Sequence, residues 1–202
     1  MRQISDNSQT QKWNKLYSEG AEYKPLNQIF FEKILDETIK MTGSRPKTAL
    51  DLGCGTGDSI ERFVEAGIET TGIDCSGVAL KTVVEKGINA KIIQENLENI
   101  GANKEIKRQY DFLLCKLTIA FIEDKENFLA SVKDMMGQKS VFCIMTPVLY
   151  KDIEYSKEDK PGIAVGYEEF RKLLKSKFKK IVEFHHDYFG KKGDTITFLT
   201  TR

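Results

Sequence analysis

The stretch ALDLGCGTGDSI, Ala49 to Ile60, sets glycines at alternate positions, Gly53, Gly55 and Gly57, between an apolar run of strand length and a run of helical period. A strand that ends in such a loop and then enters a helix can offer backbone N–H groups and the partial positive charge of a helix N-terminus. A ligand would meet them at the carboxyl ends of a parallel sheet. The simpler reading is a tight turn that needs glycine for packing alone.

The flanking chain has the alternation that a parallel sheet requires. Thr48 to Leu52 reads as a first strand, SIERFVEAG as a helix stopping at Gly67, and TTGID as a second strand. GVALKTVVEKG is a helix stopping at Gly87, and AKIIQ is a third strand. YDFLLCKL and SVFCIMT read as strands four and five, with the helix KENFLASVKDMM between them. The helix YEEFRKLLKSKF follows, and KIVEFHHDYF and DTITFLT read as an antiparallel pair joined across GKKG. Upstream, residues Lys24 to Met41 predict a helix with Leu26, Ile29, Phe30, Ile34 and Leu35 on its apolar face, ended by Gly43 and Pro46. The fold class is therefore α/β, and a length of 202 residues fits one domain.

Charge removes some functions. Thirty-one basic and 30 acidic residues leave a net charge of +1, so no overall field draws nucleic acid or an anionic membrane. Cys54, Cys75, Cys115 and Cys143 are dispersed beside apolar runs with no CxxC pair. They read as reduced thiols of a cytoplasmic protein, with no metal site. The N-terminus MRQISDNSQTQKWNKLY has no apolar signal region, and no window approaches the roughly 18 apolar residues of a membrane span.

The spacing of the loop narrows the ligand. It is GxGxG, and Asp58 stands where a dinucleotide fingerprint needs its last glycine; no GK[ST] follows to make a P-loop. Asp51 before the loop and Asp58 after it would repel a pyrophosphate and suit a cationic or zwitterionic ligand. Asp74 ends strand two, where a carboxylate can accept from the hydroxyls of a ribose.

With DLGCGTG at 51–57, GIDCS at 72–76, ENLENI at 95–100 and YDFLLCKLTIAFIEDKENFLASV at 110–132, the chain resembles the class I S-adenosylmethionine-dependent methyltransferases. The resemblance is strong over about 48–148. It implies a single Rossmann-like domain with a seven-stranded, mostly parallel sheet in order 3-2-1-4-5-7-6, strand seven antiparallel and helices on both faces. It divides the chain into an N-terminal helical cap (1–45), a cofactor-binding core (46–148) and a substrate-side segment with the last strands (149–202). The implied cofactor is S-adenosyl-L-methionine (SAM), leaving S-adenosyl-L-homocysteine (SAH). Gly53, Gly55 and Gly57 would let the backbone approach its methionine part, with Asp51 orienting the ammonium and Asp74 taking the ribose. Asn96, where the family often has Asp, would hold the adenine amino group with Leu97. Cys54, Cys75 and Cys115 complete the implied cofactor contacts.

The resemblance gives no universal catalytic residue, because methyl transfer needs mainly geometry and desolvation. Strand four's end, CKLT, lacks the Asn/Asp-Pro-Pro-aromatic tetrad of base N-methyltransferases, which disfavours nucleic acid as acceptor. Lys116 reads as a partner for an anionic substrate or as a solvated lysine, and Cys115 as a buried thiol. Candidate substrate contacts are Trp13, Tyr17, Tyr23, Lys116, Thr118, Thr146 and Tyr150. His185 and His186 fall at the sheet edge, with His186 on the face of Val182, Phe184 and Tyr188. Residues 151–162 read as a solvated loop or a substrate lid. The expected function is methylation of a small-molecule acceptor. The alternatives are a protein or tRNA acceptor, which a basic face including KLLKSKFKK would favour, and a SAM-binding protein without transfer activity.

Overall fold

A computed structural model of the chain describes residues 8–23, 25–106, 109–156, 161–186 and 195–202. Its centre is β1 (Thr48–Leu52), four of whose five residues are buried. β1 pairs in parallel with β2 (Glu69–Asp74) on one side and β4 (Tyr110–Lys116) on the other. β3 (Lys91–Gln94) extends the sheet beyond β2, and β5 (Met136–Leu149) lies beyond β4, both again parallel. β7 (Lys180–His186) and β8 (Thr195–Thr201) complete it, β8 running antiparallel to both its neighbours. The two-residue β6 (Val165–Gly166) pairs with the end of β5.

The order 3-2-1-4-5-8-7 is the expected 3-2-1-4-5-7-6 once β6 is counted. β5 is twice the expected length. Its pairing with β8 carries it through Pro147, which faces Thr195 in the ladder. The antiparallel pairing of β7 and β8 is also as expected, although the GKKG connection and Tyr188 lie outside the described residues.

Strands buried on both faces need apolar residues on both, and the sequence alternates accordingly. On β4, Leu113 and Cys115 join a core with α5 (Lys125–Asp134) and α6 (Tyr167–Lys177). Phe112 and Leu114 face the opposite core, with Phe31, Ile34 and Leu35 of α2 (Gln28–Thr42) and Phe63 of α3 (Asp58–Glu65). Each of these fully buried side chains contributes about 1.5–3 kcal/mol. Ile60 of α3 packs with Leu80 and Val83 of α4 (Gly77–Glu85) in a third, smaller cluster. Among the described residues no helix is long and apolar enough to cross a membrane.

Two local expectations are corrected. α2 begins at Gln28 because Asn27 caps it, its Oδ1 accepting from the amides of Ile29 and Phe30. Ile29 is therefore in the first turn and 79 % exposed, while Phe31 takes the core position. The second concerns Gly57, expected to face a ligand. It is the N-cap of α3 at φ +88°, and a Cβ there would lie 3.0 Å from Cγ2 of Val83 on α4. Gly57 is thus a helix-start and packing residue. Gly57→Ala combines left-handed strain with that contact, and urea unfolding should show a stability loss of about 1–2 kcal/mol.

Candidate active site

The carboxyl ends of β1, β2 and β4 surround a cavity, and α1 (Ser8–Ser18) roofs it. Its floor is the loop after β1. Here the amides of Gly53 and Cys54 both donate to the Ile73 carbonyl, at 2.8 and 3.0 Å, and that of Gly57 donates to Cys54 O. The Gly55 amide donates to Asp74 Oδ2 at 2.9 Å. Three of the N–H groups expected to face a ligand, those of Gly53, Cys54 and Gly55, are therefore spent on holding the loop to β2, and that of Gly57 on the loop itself. What the glycines supply is space and positive φ, +81° at Gly53 and +53° at Gly55.

Asp74 is almost completely buried. Besides Gly55 it accepts from the Ser76 amide at 2.8 Å and from the amide and thiol of Cys75. Burial raises its pKa, and these bonds work against the rise. The Cys75 thiol is pushed up to about 12 by burial, then by Asp74, so it stays protonated and donates.

Asp51, at the end of β1, is the least satisfied group in the cavity. It is 2 % exposed, and its Oδ2 has no hydrogen-bond partner. Burial lifts its pKa to about 7, with Lys116 pulling it down and the neighbouring Asp74 and Asp58 pushing it up. Across the cavity, Gln9 Oε1 of α1 is likewise buried without a partner. Two orphaned acceptors on residues that line one cavity fit a ligand that brings donors, and beside Asp51 a cationic donor.

The roof is aromatic. Trp13 packs edge-on against Phe121 at 5.0 Å between centroids, and Tyr17 and Tyr23 lie 6.1 Å from Trp13. Gln9, Trp13 and Tyr17 are spaced four apart and share one helical face. Asn14, on the next face, latches α1 to α4, its Oδ1 accepting from Ser76 Oγ at 2.8 Å.

β4 ends at Lys116 because Leu117 turns into the left-handed region, φ +59°, held by its amide on the Met145 carbonyl. A branched residue there costs about 1 kcal/mol. The turn brings Thr118 so close to Gly53 that a Cβ on Gly53 would overlap it.

The chain matches the profile of the family described as methyltransferase domain over residues 44–186. It belongs to that family. As expected from its signature, this methyltransferase domain is of the class I, SAM-dependent kind, and it is 28 % identical over 122 residues to a ubiquinone biosynthesis O-methyltransferase of Marinobacter nauticus. That match takes in 57 % of this chain and 50 % of the relative. A protein of the same name from Serratia proteamaculans is 31 % identical over 109 residues, covering 52 % and 44 %. The chain thus spans about half the length of the curated relatives it matches. Among solved structures, the plantazolicin methyltransferase BamL, in complex with a triazolic desmethylPZN analog and SAH, superposes with a TM-score of 0.68 at 19 % identity. The superposition covers 95 % of this chain and 90 % of that one. A TehB-like SAM-dependent methyltransferase from Corynebacterium glutamicum gives 0.62 at 14 % identity, covering 95 % of each.

In this methyltransferase domain the cavity gathers Asp51, Gly53, Cys54, Gly55, Asp74, Cys75, Asn96 and Leu97, together with Trp13, Tyr17, Tyr23, Lys116 and Thr118. Other expected residues lie elsewhere. Cys115 is fully buried in the core between β4 and α5, since alternation turns it away once Lys116 faces the cavity. Thr146 is buried within β5, its hydroxyl on Pro147 O, and Tyr150 packs on Tyr167 at 5.2 Å. From 149–202 no described residue lines the cavity. In the stretch expected to be loop or lid, Lys151 pairs with Glu169 at 2.7 Å. His185 sits by Tyr167 at the sheet edge, and the His186 side chain lies outside the described residues. Among the described residues no cluster of His, Cys, Asp or Glu could hold a metal.

Gln9, Thr56, Ser59, Glu98, Phe121 and Ile122 also line the cavity and were not expected there, and Leu117, within the CKLT end of strand four, lines it too. Gln9 was within reach of the sequence, one helical turn before Trp13. The left-handed turn at Leu117 was not, because leucine gives no signal for it.

The raised pKa of Asp51 fixes a pH dependence of stability. A carboxyl near 3.9 in the unfolded chain and about 7 in the fold makes its favourable contribution below pH 4 and loses it as the pH rises to 7. Relative to the wild type, Asp51→Asn should therefore gain stability between pH 4 and 7, by on the order of 3 kcal/mol, in denaturant titrations run in parallel.

Proposed function

We propose that this methyltransferase domain binds SAM in the α1-roofed cavity and methylates a small-molecule acceptor. The observation that carries the reading is the unpartnered Oδ2 of Asp51, buried beside a loop whose glycines clear space for a ligand. Asp51 would hold the ammonium, and Asp74 the ribose, with a ligand hydroxyl displacing its weakest donor, the Cys75 thiol. Asn96 caps the turn after β3, its Oδ1 on the Glu98 amide, and with Leu97 would border the adenine. When bound, the cofactor supplies a sulfonium methyl that passes to an acceptor lone pair as the carbon–sulfur bond breaks and its electrons stay on sulfur. The chain's own part is to align that approach and keep water out, work suited to Trp13, Tyr17, Tyr23 and Phe121.

A roof this close to the floor supports a small acceptor: a Cβ on Gly55 would lie 2.6 Å from the Tyr17 hydroxyl. The ubiquinone biosynthesis O-methyltransferases among the relatives point the same way, to oxygen on a small molecule. The near-balanced charge of the chain gives no support to a nucleic-acid acceptor.

Calorimetric titration with SAM and, separately, NAD tests the reading. The wild type should bind SAM at micromolar levels and ignore NAD, and Asp51→Asn should weaken SAM binding by about 10- to 100-fold. Because the cationic ligand needs the carboxylate, affinity should rise up to about tenfold per pH unit toward pH 7 in the wild type and stay flat in Asp51→Asn. Wild-type protein that binds no SAM sinks the proposal.

A further inference from the structure

Resting on the reading of the cavity as a SAM site, we infer that Gln9 of α1 is the residue that selects adenine, its side-chain amide accepting from the exocyclic amino group of the base. The roof helix then reads the base, a role the sequence expects of Asn96 in the turn after β3.

Donors of the cofactor and acceptors of the cavity pair off. SAM carries its N–H and O–H donors on the ammonium, the ribose hydroxyls and the adenine amino group. Asp51 Oδ2, at the end of β1, is the acceptor assigned above to the ammonium, and Asp74, at the end of β2, serves the ribose. Asn96 is already engaged, because its Oδ1 accepts from the Glu98 amide at 3.0 Å and so caps the turn. Its neighbour Glu95 is taken too, by the Asn96 amide at 2.9 Å and the Asn103 side chain at 3.0 Å. Among the described residues that line the cavity, Asp51 and Gln9 alone carry a buried side-chain oxygen without a partner. The amino group and Gln9 Oε1 are thus the donor and acceptor left over, both neutral and each costly to bury unpaired.

The course of α1 brings the two together. Its C-terminal end stands over the loop after β1, where a Cβ on Gly55 would lie 2.6 Å from the Tyr17 hydroxyl. Farther back, Asn14 bonds Ser76, and Thr10 sits beside the Cys75 thiol. The Cys75 carbonyl accepts from Gln94 Nε2 at 3.1 Å, which ties this point to the end of β3, just before Asn96. From Tyr17 back to Gln9 the helix spans about 12 Å, so the roof runs from the methionine end of the cavity to the end where the base lies. The same amide has Nε2 to donate to a ring nitrogen, the pairing by which Gln and Asn recognise adenine in nucleic acids.

The probes are SAH and its 6-deamino analogue, whose purine carries hydrogen where adenine carries the amino group. Calorimetry of the full chain with SAH comes first, and failure to bind it would undo the SAM-site reading itself. The wild type should bind SAH at least about fivefold more tightly than the analogue. Gln9→Met removes the acceptor at similar size, so SAH should weaken to the level of the analogue, whose own affinity stays near the wild-type value. Gln9→Glu keeps an acceptor and should keep the preference. A merely structural role of Gln9 would weaken both ligands alike and leave the ratio unmoved. Asn96→Ser, with a hydroxyl that can still cap the turn, should also keep the ratio. A wild type indifferent to the amino group overturns the inference and leaves the SAM site standing. So does a ratio that survives Gln9→Met, is lost in Gln9→Glu, or is erased by Asn96→Ser.

Discussion

One buried carboxylate ties the cavity together. Asp74 takes the Gly55 amide on one oxygen and the Ser76 amide on the other, so a single side chain joins the loop after β1, the end of β2 and the cap of α4. Ser76 passes the constraint on, accepting from the Ala79 amide to start α4 and donating to Asn14 to seat α1. Floor and roof thus depend on the same residue through four hydrogen bonds. Charge-assisted bonds of this kind are worth about twice neutral ones, and leaving a partner unsatisfied in a buried place costs more than the bond is worth. The expectation that Asp74 faces a ribose and its structural duty are compatible, because the Cys75 thiol is a donor that can be given up.

Asp51 works in the opposite way. Where Asp74 is saturated, Asp51 keeps an oxygen with no partner at the bottom of a cavity, and burial favours its protonated form. Such a group weakens the empty fold and strengthens a complex with a cation, which is the pattern expected where stability has been given up for binding. Lys116 opposite relieves part of the cost, which is why the two residues must be considered together.

Much of this was legible in the sequence. The alternation of strands and helices follows from apolar periodicity, and the sheet order from the resemblance carried by DLGCGTG. Gly43 acts as a helix stop signal with a local cause, whereas the start signal at Asn27 was passed over in favour of Lys24. The other misplacements were non-local. Cys115 and Lys116 are neighbours on a strand, and only the sheet's orientation decides which faces the cavity. Thr146 and Tyr150 were expected at the site from their place after strand five, but pairing with β8 extends β5 past Thr146, buries it, and leaves Tyr150 beside Tyr167. Leu117 adopts its left-handed turn because Met145 and Thr118 hold it there, against its own preference.

The glycine signature shows most clearly how a local motif can have distant reasons. All three glycines have positive φ, but three different elements press on them: the turn after β4 through Thr118 on Gly53, α1 through Tyr17 on Gly55, and α4 through Val83 on Gly57. Four of the loop's five amides are already committed, to Ile73, Asp74 and Cys54. Its glycines are therefore explained less by N–H groups offered to a ligand than by the convergence of three elements on five residues. A side chain at Gly57 would disturb the start of α3, whereas one at Gly55 would push up the roof and one at Gly53 would push away the turn that carries Lys116 and Thr118. Of the three, Gly53 and Gly55 set the shape of the cavity, and Gly57 sets the helix that supports it.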